Sequence, residues 1–405
     1  MSFLKILILT SEYPNPKSSF DTPVVHFYAK EWVKMGHEVK VIHYRSVFPA
    51  LFYFIARLFK SLIKKFFKTD FIPFEKLKSP IHYVMNGVDI TTEPIFKLIP
   101  HIRFSASVIN KKAKQIVDQN QEDDFLPDVV IGHFLNPQLQ LFTALRSFYP
   151  KVKFSLVFHE NPNEIARLYG GKADVYLKNI DYIGFRFGEM QLIFESLFGS
   201  AHNFFLCPSG IPKDYILDAI PKTKFEHNQL SIAFVGMLIP LKNVDITLKA
   251  LVNAFPHKNF HFTLIGEGML QSDIVSQIKE LGLSDQVTLL GKKSRVEVQQ
   301  ALVNTDVFVM VSSPEAFGLV YLEAMGKGCI TIGTKGQGID GVINHGENGF
   351  LCEARNVQSL VDVFLRIQEM KLDEKTAMAE KAMLTAREMT DENIAASYLQ
   401  KIHLV

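Results

Sequence analysis

The sequence predicts an α/β protein with parallel sheets, divided into two Rossmann-like halves. Three observations point there. Short apolar runs alternate with segments of helical periodicity along nearly the whole chain, as in strands joined by crossover helices. The chain has 405 residues, beyond the ~250–300 at which one hydrophobic core stops growing. Between Cys207 and Gln229 it gathers Pro208, Ser209-Gly210, Pro212, Pro221 and the polar run His227-Asn228-Gln229, which reads as the junction.

In the first half, the buried strand candidates are Lys5–Leu9, Glu38–His43, Asp128–Ile131 and Lys153–Phe158. Val24 to Met35 has helical periodicity and stops at Gly36, a normal C-terminal signal. In the second half the strand candidates are Ser231–Val235, His261–Ile265, Gln286–Leu289, Val307–Val311 and Cys329–Gly333. Helical patterns lie between them, as in Val244–Phe255 and Leu270–Leu281. The predicted organisation is a first domain over 1–207, a second over 208–388, and a closing helix over 389–405. Ligands of such sheets sit at the carboxyl ends of the strands, here in a cleft between the halves.

Composition narrows the function. Hydrophobic residues make up 47% and charged residues 21%, as in ordinary globular proteins. A net charge of +2 argues against a nucleic-acid partner. The three cysteines, Cys207, Cys329 and Cys352, have no metal-like spacing; they suit a reducing compartment and pack as small apolar residues. Phe3 to Leu9 lacks the basic leader and small-residue cleavage site of a secretory signal, and reads as a first buried strand. No apolar run approaches the ~20 residues of a membrane span. The expectation is a cytoplasmic protein.

One segment breaks the alternation. Residues 51–68 are very apolar and carry only positive charges, with Arg57, Lys60, Lys64 and Lys68 at three- and four-residue spacing on one helical face. Such a helix can lie on an anionic membrane surface. It is equally a helix buried on one side with solvated lysines.

The most informative stretch runs from Ser312 to Gly328. It follows the apolar run Asp306–Val311, then gives Ser-Ser-Pro punctuation, then an apolar-periodic segment from Gly318. This is a strand–loop–helix unit whose helix start offers free amides to an anion. Glu315 lies in the loop and Glu323 in the helix. A nucleotide sugar needs this combination: amides for the diphosphate, a carboxylate for the ribose hydroxyls, and a polar group near the sugar.

These residues resemble the retaining GT-B glycosyltransferases of family four, the glycosyl transferases group 1. Ile232 to Leu238 with Lys242 is similar to that family's strand, glycine turn and phosphate-gripping lysine. Leu264-Ile265-Gly266-Glu267-Gly268 resembles its second glycine turn, and Val287 to Gly291 the strand and turn facing the base. Glu315 and Glu323, with seven residues between them, match its paired glutamates. Gly338-Ile339 and Glu347-Asn348-Gly349-Phe350-Leu351 resemble the signature that follows. The first half is fainter: Gly36-His37-Glu38-Val39, Phe158-His159-Glu160 at an active-site histidine, and Cys207-Pro208-Ser209-Gly210-Ile211, usually written with Asn in place of Ser209.

The resemblance implies a GT-B fold, two Rossmann-like domains facing across a cleft, and assigns roles. Glu323 would accept both ribose hydroxyls. Glu315 would contact the transferred sugar and favour positive charge at its anomeric carbon. The amides of Phe317, Gly318 and Leu319, following Ala316, would hold the diphosphate. Lys242 would neutralise the leaving phosphate, Gly236 would admit it, and Gly291 to Lys293 would border the base. His159 would bond the donor sugar or serve structure alone; His133, in Ile131-Gly132-His133-Phe134, is a further candidate. No Asp-x-Asp pair follows a strand in a metal position, and no metal or other cofactor is expected.

There are departures from the family's pattern. Met237 stands where the family usually has arginine, and Asn243 where it usually has glycine. Lys292, Lys293 or Arg295 are the candidates to replace the missing cation. Residues 11–21 lack the usual double glycine, which bears on the acceptor side.

The expected function is retaining transfer of a hexose-type sugar from a nucleoside diphosphate sugar. The acceptor would be a saccharide held by the first half, lipid-linked if the basic segment meets the inner face of a membrane, in bacterial surface polysaccharide synthesis. The two halves would close to assemble the site. The alternatives are a non-catalytic GT-B protein that binds a sugar or a partner, and a GT-B enzyme of other chemistry such as a nucleotide-sugar epimerase.

Overall fold

The computed structural model describes residues 3–14, 23–58, 79–220, 224–226 and 229–404, and of 55–58 the backbone alone. The chain forms two compact units. One comprises Met1–Phe185, Met190–Cys207 and Ala395–Val405; the other comprises Arg186–Glu189 and Pro208–Ile394.

The first unit is built on eight strands: β1 (Lys5–Thr10), β2 (Glu38–Val47), β3 (Ile81–Met85), β4 (Val88–Phe96), β5 (Val129–His133), β6 (Lys153–Phe158), β7 (Tyr182–Phe185) and β8 (Asn203–Leu206). Their order is β3-β4-β2-β1-β5-β6-β7-β8. All pairs are parallel except β3 with β4. Central β1 is apolar through its middle and buried on both faces, as a covered parallel strand must be. The β3–β4 hairpin turns at Asn86 (φ 53°) and Gly87 (φ 78°), the left-handed pair that a two-residue hairpin turn needs. Helix Val24–Lys34 buries Val25, Tyr28, Ala29 and Trp32 at three- and four-residue spacing.

The last helix, Asp391–Lys401, spans the change of unit at Ala395. Its start is held in the second unit, where Asp391 N donates to Ile211 O at 2.9 Å. Its end belongs to the first. There Trp32 Nε1 donates to Ala395 O at 2.9 Å, Tyr398 Oη meets Ser155 Oγ at 2.9 Å, and Lys401 Nζ donates to Leu206 O at 2.8 Å.

The second unit has six strands: β9 (Leu230–Val235), β10 (Phe260–Ile265), β11 (Val287–Gly291), β12 (Val307–Val309), β13 (Ile330–Thr334) and β14 (Phe350–Cys352). The order is β11-β10-β9-β12-β13-β14, all parallel. This is the 3-2-1-4-5-6 order of a Rossmann sheet. Phe234, Leu248, Phe262, Phe308 and Phe364 fill its core. β9 and β12 are neighbours, yet the chain leaves them toward opposite sides. A ligand site is expected at that reversal, beyond their carboxyl ends.

The three cysteines are buried and free of disulfides. Among the described residues, no helix is long and apolar enough to cross a membrane. Helix Ala50–Leu58 covers the start of the basic-apolar segment; its remainder, with Lys60, Lys64 and Lys68, lies outside the described residues, as does most of the N-terminal loop.

Candidate functional site

The two loops at the reversal are tied together by backbone. After β9 the chain makes a tight turn, Pro240–Lys242, before helix Val244–Ala254. Ser313 N, beyond β12, donates to Leu241 O at 2.9 Å. Asn243 sits between turn and helix in the left-handed region, φ 49°, which Asn tolerates and most residues do not. Its buried side chain donates to Val311 O at 2.7 Å. Replacing the family's usual glycine by Asn therefore keeps the backbone conformation and adds a bond between the loops.

This clamp sets Lys242 against Glu315. Lys242 Nζ lies 2.5 Å from Glu315 Oε2, and the two side chains are only 17% and 14% exposed. Glu315 is held on its other side by the next loop: its amide donates to Gln337 Oε1 at 2.8 Å, and its carbonyl accepts from Gly338 N at 2.9 Å. A side chain at Gly338 has no room, since a Cβ would stand 2.2 Å from Ala316 O. Gly318 (φ 77°) ends the loop and begins helix Leu319–Gly326. The amides of Phe317, Gly318 and Leu319 have no acceptor among the described residues, as expected of a helix start. Tyr321 Oη donates to Met310 O and fastens the helix to the strand end. The Arg186 guanidinium lies 5.3 Å from the Phe317 ring centre and bonds Ser209 Oγ.

Glu323 is on the same helix, one turn further. Gln299 Nε2 donates to its Oε2 at 2.7 Å. Burial pushes its carboxyl above the usual carboxylate range, opposed by the charge of Arg295, the Gln299 bond and the charge of Lys327. Arg295, one of the three cations proposed to replace the missing arginine, thus places its charge near Glu323. Lys293 instead pairs with Glu297 at 3.0 Å on the surface. Met237 is 59% exposed.

The glycine turns close the floor. Gly236 N donates to Ile265 O at 2.9 Å, and Gly266 N to Gly291 O at 2.8 Å. The steric demand falls on a different glycine from the one expected. A Cβ at Gly236 would meet Phe234 at 3.3 Å, a contact a ring can relieve, whereas one at Gly266 would lie 1.8 Å from Gly236 O. Gly291 takes φ 66° at the end of β11, with open space around it.

In the first unit, the reversal of strand order lies between β1 and β5. His133 ends β5 and His159 follows β6; His133 Nδ1 and His159 Nε2 are 3.0 Å apart. Phe134, at φ 71°, stacks on the His159 ring at 4.0 Å. Glu160 receives Leu135 N on both carboxylate oxygens at 3.2 Å. Burial raises its pKa, opposed by the amides of Leu135, Glu160 and His159.

Sequence reasoning did not single out Gln299, Gln337, Asn243 as a tether, Arg186 or Glu160. Only Glu160 had a signal, its place beside His159 at a strand end. Among the described residues no group of three or more His, Cys, Asp or Glu side chains is arranged to hold a metal ion.

Residues 217–384 match the family model of the glycosyl transferases group 1. The N-acetyl-alpha-D-glucosaminyl L-malate synthase of Bacillus anthracis is 33% identical over 160 residues, which is 39% of this chain and 41% of that relative. The match thus spans well under half of either protein. Anabaena Alr3699/HepE, solved in complex with UDP, superposes with a TM-score of 0.69 at 17% identity, over 99% of this chain and 100% of that one. The lipopolysaccharide outer core galactosyltransferase WaaB in its apo form gives 0.67 at 15% identity, over 98% and 99%. Residues 217–384 are thus similar to the glycosyl transferases group 1, and the two sheets have the architecture of GT-B glycosyltransferase structures.

Proposed function

We propose that the chain transfers a hexose-type sugar, with retention, from a nucleoside diphosphate sugar to a saccharide acceptor. The observation that carries this reading is the Lys242–Glu315 pair beside the open amides of Phe317, Gly318 and Leu319, at the reversal of a Rossmann sheet. The amides and Lys242 take the diphosphate. Glu323 takes the ribose hydroxyls, and Glu315, released from Lys242 by the phosphate, turns to the sugar. His159, the Ala316 backbone and the Gly236 and Gly291 turns complete the proposed set, with Lys293 near the base.

In the reaction the acceptor oxygen bonds to the anomeric carbon as the bond to the diphosphate breaks. The leaving phosphate oxygen takes the acceptor's proton on the same face, so charge and protons balance without an enzymic nucleophile. Lys242 and the helix-start amides stabilise the leaving diphosphate, a task that requires no bound metal. The first unit holds the acceptor. A lipid-linked saccharide for a bacterial surface polysaccharide, met at the inner face of the membrane, fits the basic composition of residues 51–68.

The test is release of nucleoside diphosphate from a panel of UDP-, GDP- and ADP-sugars, with EDTA present and Glu323→Ala as control. Release from one donor, lost in the variant, supports the reading and its metal independence together. Binding of no nucleotide in the panel by calorimetry overturns it.

A further inference from the structure

Lys97 is a buried lysine without a counter-charge among the described residues. It directly follows β4, where its amide donates to Val47 O at 2.9 Å, at the carboxyl edge of the first unit's sheet. Its residue is only 9% exposed, and its ammonium faces the Phe104 ring at 4.6 Å. No hydrogen-bond acceptor or carboxylate reaches it among the described residues. A buried ammonium is normally paired, so an unpaired one at a strand's carboxyl end calls for a reason.

The surroundings are built and cationic. Gln140 brackets Phe104 with two bonds, accepting from its amide at 3.0 Å and donating to its carbonyl at 2.9 Å. Arg103 is exposed, with its guanidinium 5.5 Å from the Tyr169 ring centre. Tyr169 Oη donates to Asn136 Oδ1 at 2.9 Å. Arg167 donates to His101 O at 3.3 Å and to Glu164. The loops after β4, β5 and β6 therefore converge at one edge. Gln138, next in chain after Pro137, is wholly buried with neither amide atom bonded among the described residues. Two carboxyl groups accompany the three cations: Glu164, already paired to Arg167, and Glu160, whose oxygens receive Leu135 N. Burial, then the Arg167 charge, lowers the Lys97 ammonium to about 8.

We propose that Lys97, Arg103 and Arg167 form a binding site for an anionic oxyacid group, phosphate or carboxylate, borne by the acceptor. The inference rests on the glycosyltransferase reading and names its acceptor class. An anion there would satisfy the Lys97 ammonium and receive charge-assisted bonds from the guanidinium groups.

The full chain would be titrated with inorganic phosphate, with glucose 6-phosphate against glucose, and with phosphatidylglycerol against phosphatidylcholine vesicles. Lys97→Met and Arg103→Gln are the variants, and binding of UDP, GDP and ADP monitors the second unit. The expected result is binding of the phosphorylated probes but not glucose, weakened roughly 10-fold or more in both variants, with nucleotide binding unchanged. Dependence on Lys97 and Arg103 seen with anionic vesicles alone would assign the group to a lipid headgroup and also support the site. Equal binding by wild type and variants, or no binding of any anionic probe, would overturn it. Failure of the wild type to bind any nucleotide, with Lys97-dependent phosphate binding intact, would remove the glycosyltransferase reading and leave the anion site standing.

Discussion

Lys242 and Glu315 pair at 2.5 Å, both side chains largely buried. On the proposed reading, a nucleoside diphosphate exchanges this partner for phosphate and frees the Glu315 carboxylate for the sugar. The two residues then act as one unit. Lys242→Ala is expected to lower kcat by about 10²–10³, as for loss of a main electrostatic donor. Glu315→Gln should lower kcat while leaving nucleoside diphosphate affinity within a few-fold. The double variant should lose far less than the product of the single losses. Fully multiplicative losses in the cycle would show that the pair is not coupled.

Glu323 gives the site a pH dependence. Burial holds its carboxyl above the usual range, against Arg295, Gln299 and Lys327. A protonated carboxyl keeps one good acceptor oxygen instead of two and loses its charge, so on the proposed reading it holds the two ribose hydroxyls less well. Nucleotide affinity should therefore fall as pH drops through the raised pKa, above the ordinary value of 4.5. Stability runs the other way: the folded state holds this proton more tightly, so stability declines as pH rises from 4.5 through the raised value. Calorimetric titrations from pH 4.5 upward check the first effect. Glu323→Gln should bind weakly at all pH values and remove that titration.

Most of the proposed donor side can be read from the sequence because its residues lie in local order. Strand, loop and helix start follow one another in sequence through Glu315–Glu323, and Lys242, 73 residues before Glu315, was marked by the family resemblance. The parts that hold them were not legible. Gln299 and Gln337 reach Glu323 and Glu315 across the fold, and nothing in their own neighbourhoods marks them. The β3–β4 hairpin did carry a signal, Asn86-Gly87 between Met85 and Val88, but its polar, half-exposed strands lack the continuous apolar runs by which the other strands were recognised. Strands β7 and β8 have four residues each and β14 three, too short for periodicity to speak. Lys97 looks like any lysine in sequence; only its burial in the fold sets it apart.

The loops of the site depend on two glycines through space rather than dihedral angle alone. A Cβ at Gly338 would stand 2.2 Å from Ala316 O, and one at Gly266 1.8 Å from Gly236 O. Both neighbours are backbone and cannot swing away. Gly338→Ala and Gly266→Ala should each cost on the order of 2–4 kcal/mol. Gly338→Ala should also weaken nucleotide binding by shifting the loop at Phe317. Gly171, where a Cβ would have nothing within 4 Å, is the control: Gly171→Ala should stay within about 0.5 kcal/mol. Urea midpoints for the three variants decide this, and equal midpoints would mean that the loops yield.

Lys97 should show its cost in the stability of the protein without ligand. Its ammonium titrates at about 8 in the folded chain against 10.5 unfolded. Below pH 8 both states carry the charge, and the folded state bears the whole penalty of burying it, at most about 3 kcal/mol. Between pH 8 and 10.5 the unfolded chain holds a proton that the folded chain has released, so stability rises with pH in that window. Lys97→Met removes the penalty without opening a cavity. Its melting temperature should therefore exceed the wild type's at pH 7, with the gap narrowing from pH 8 upward. Saturating phosphate should narrow the gap at pH 7 as well, because the anion stabilises the wild type and not the variant. Thermal melts at pH 7 and roughly 9.5, with and without phosphate, test both statements. A variant less stable than wild type at pH 7 would mean that Lys97 is a structural lysine whose stem packs the loop after β4.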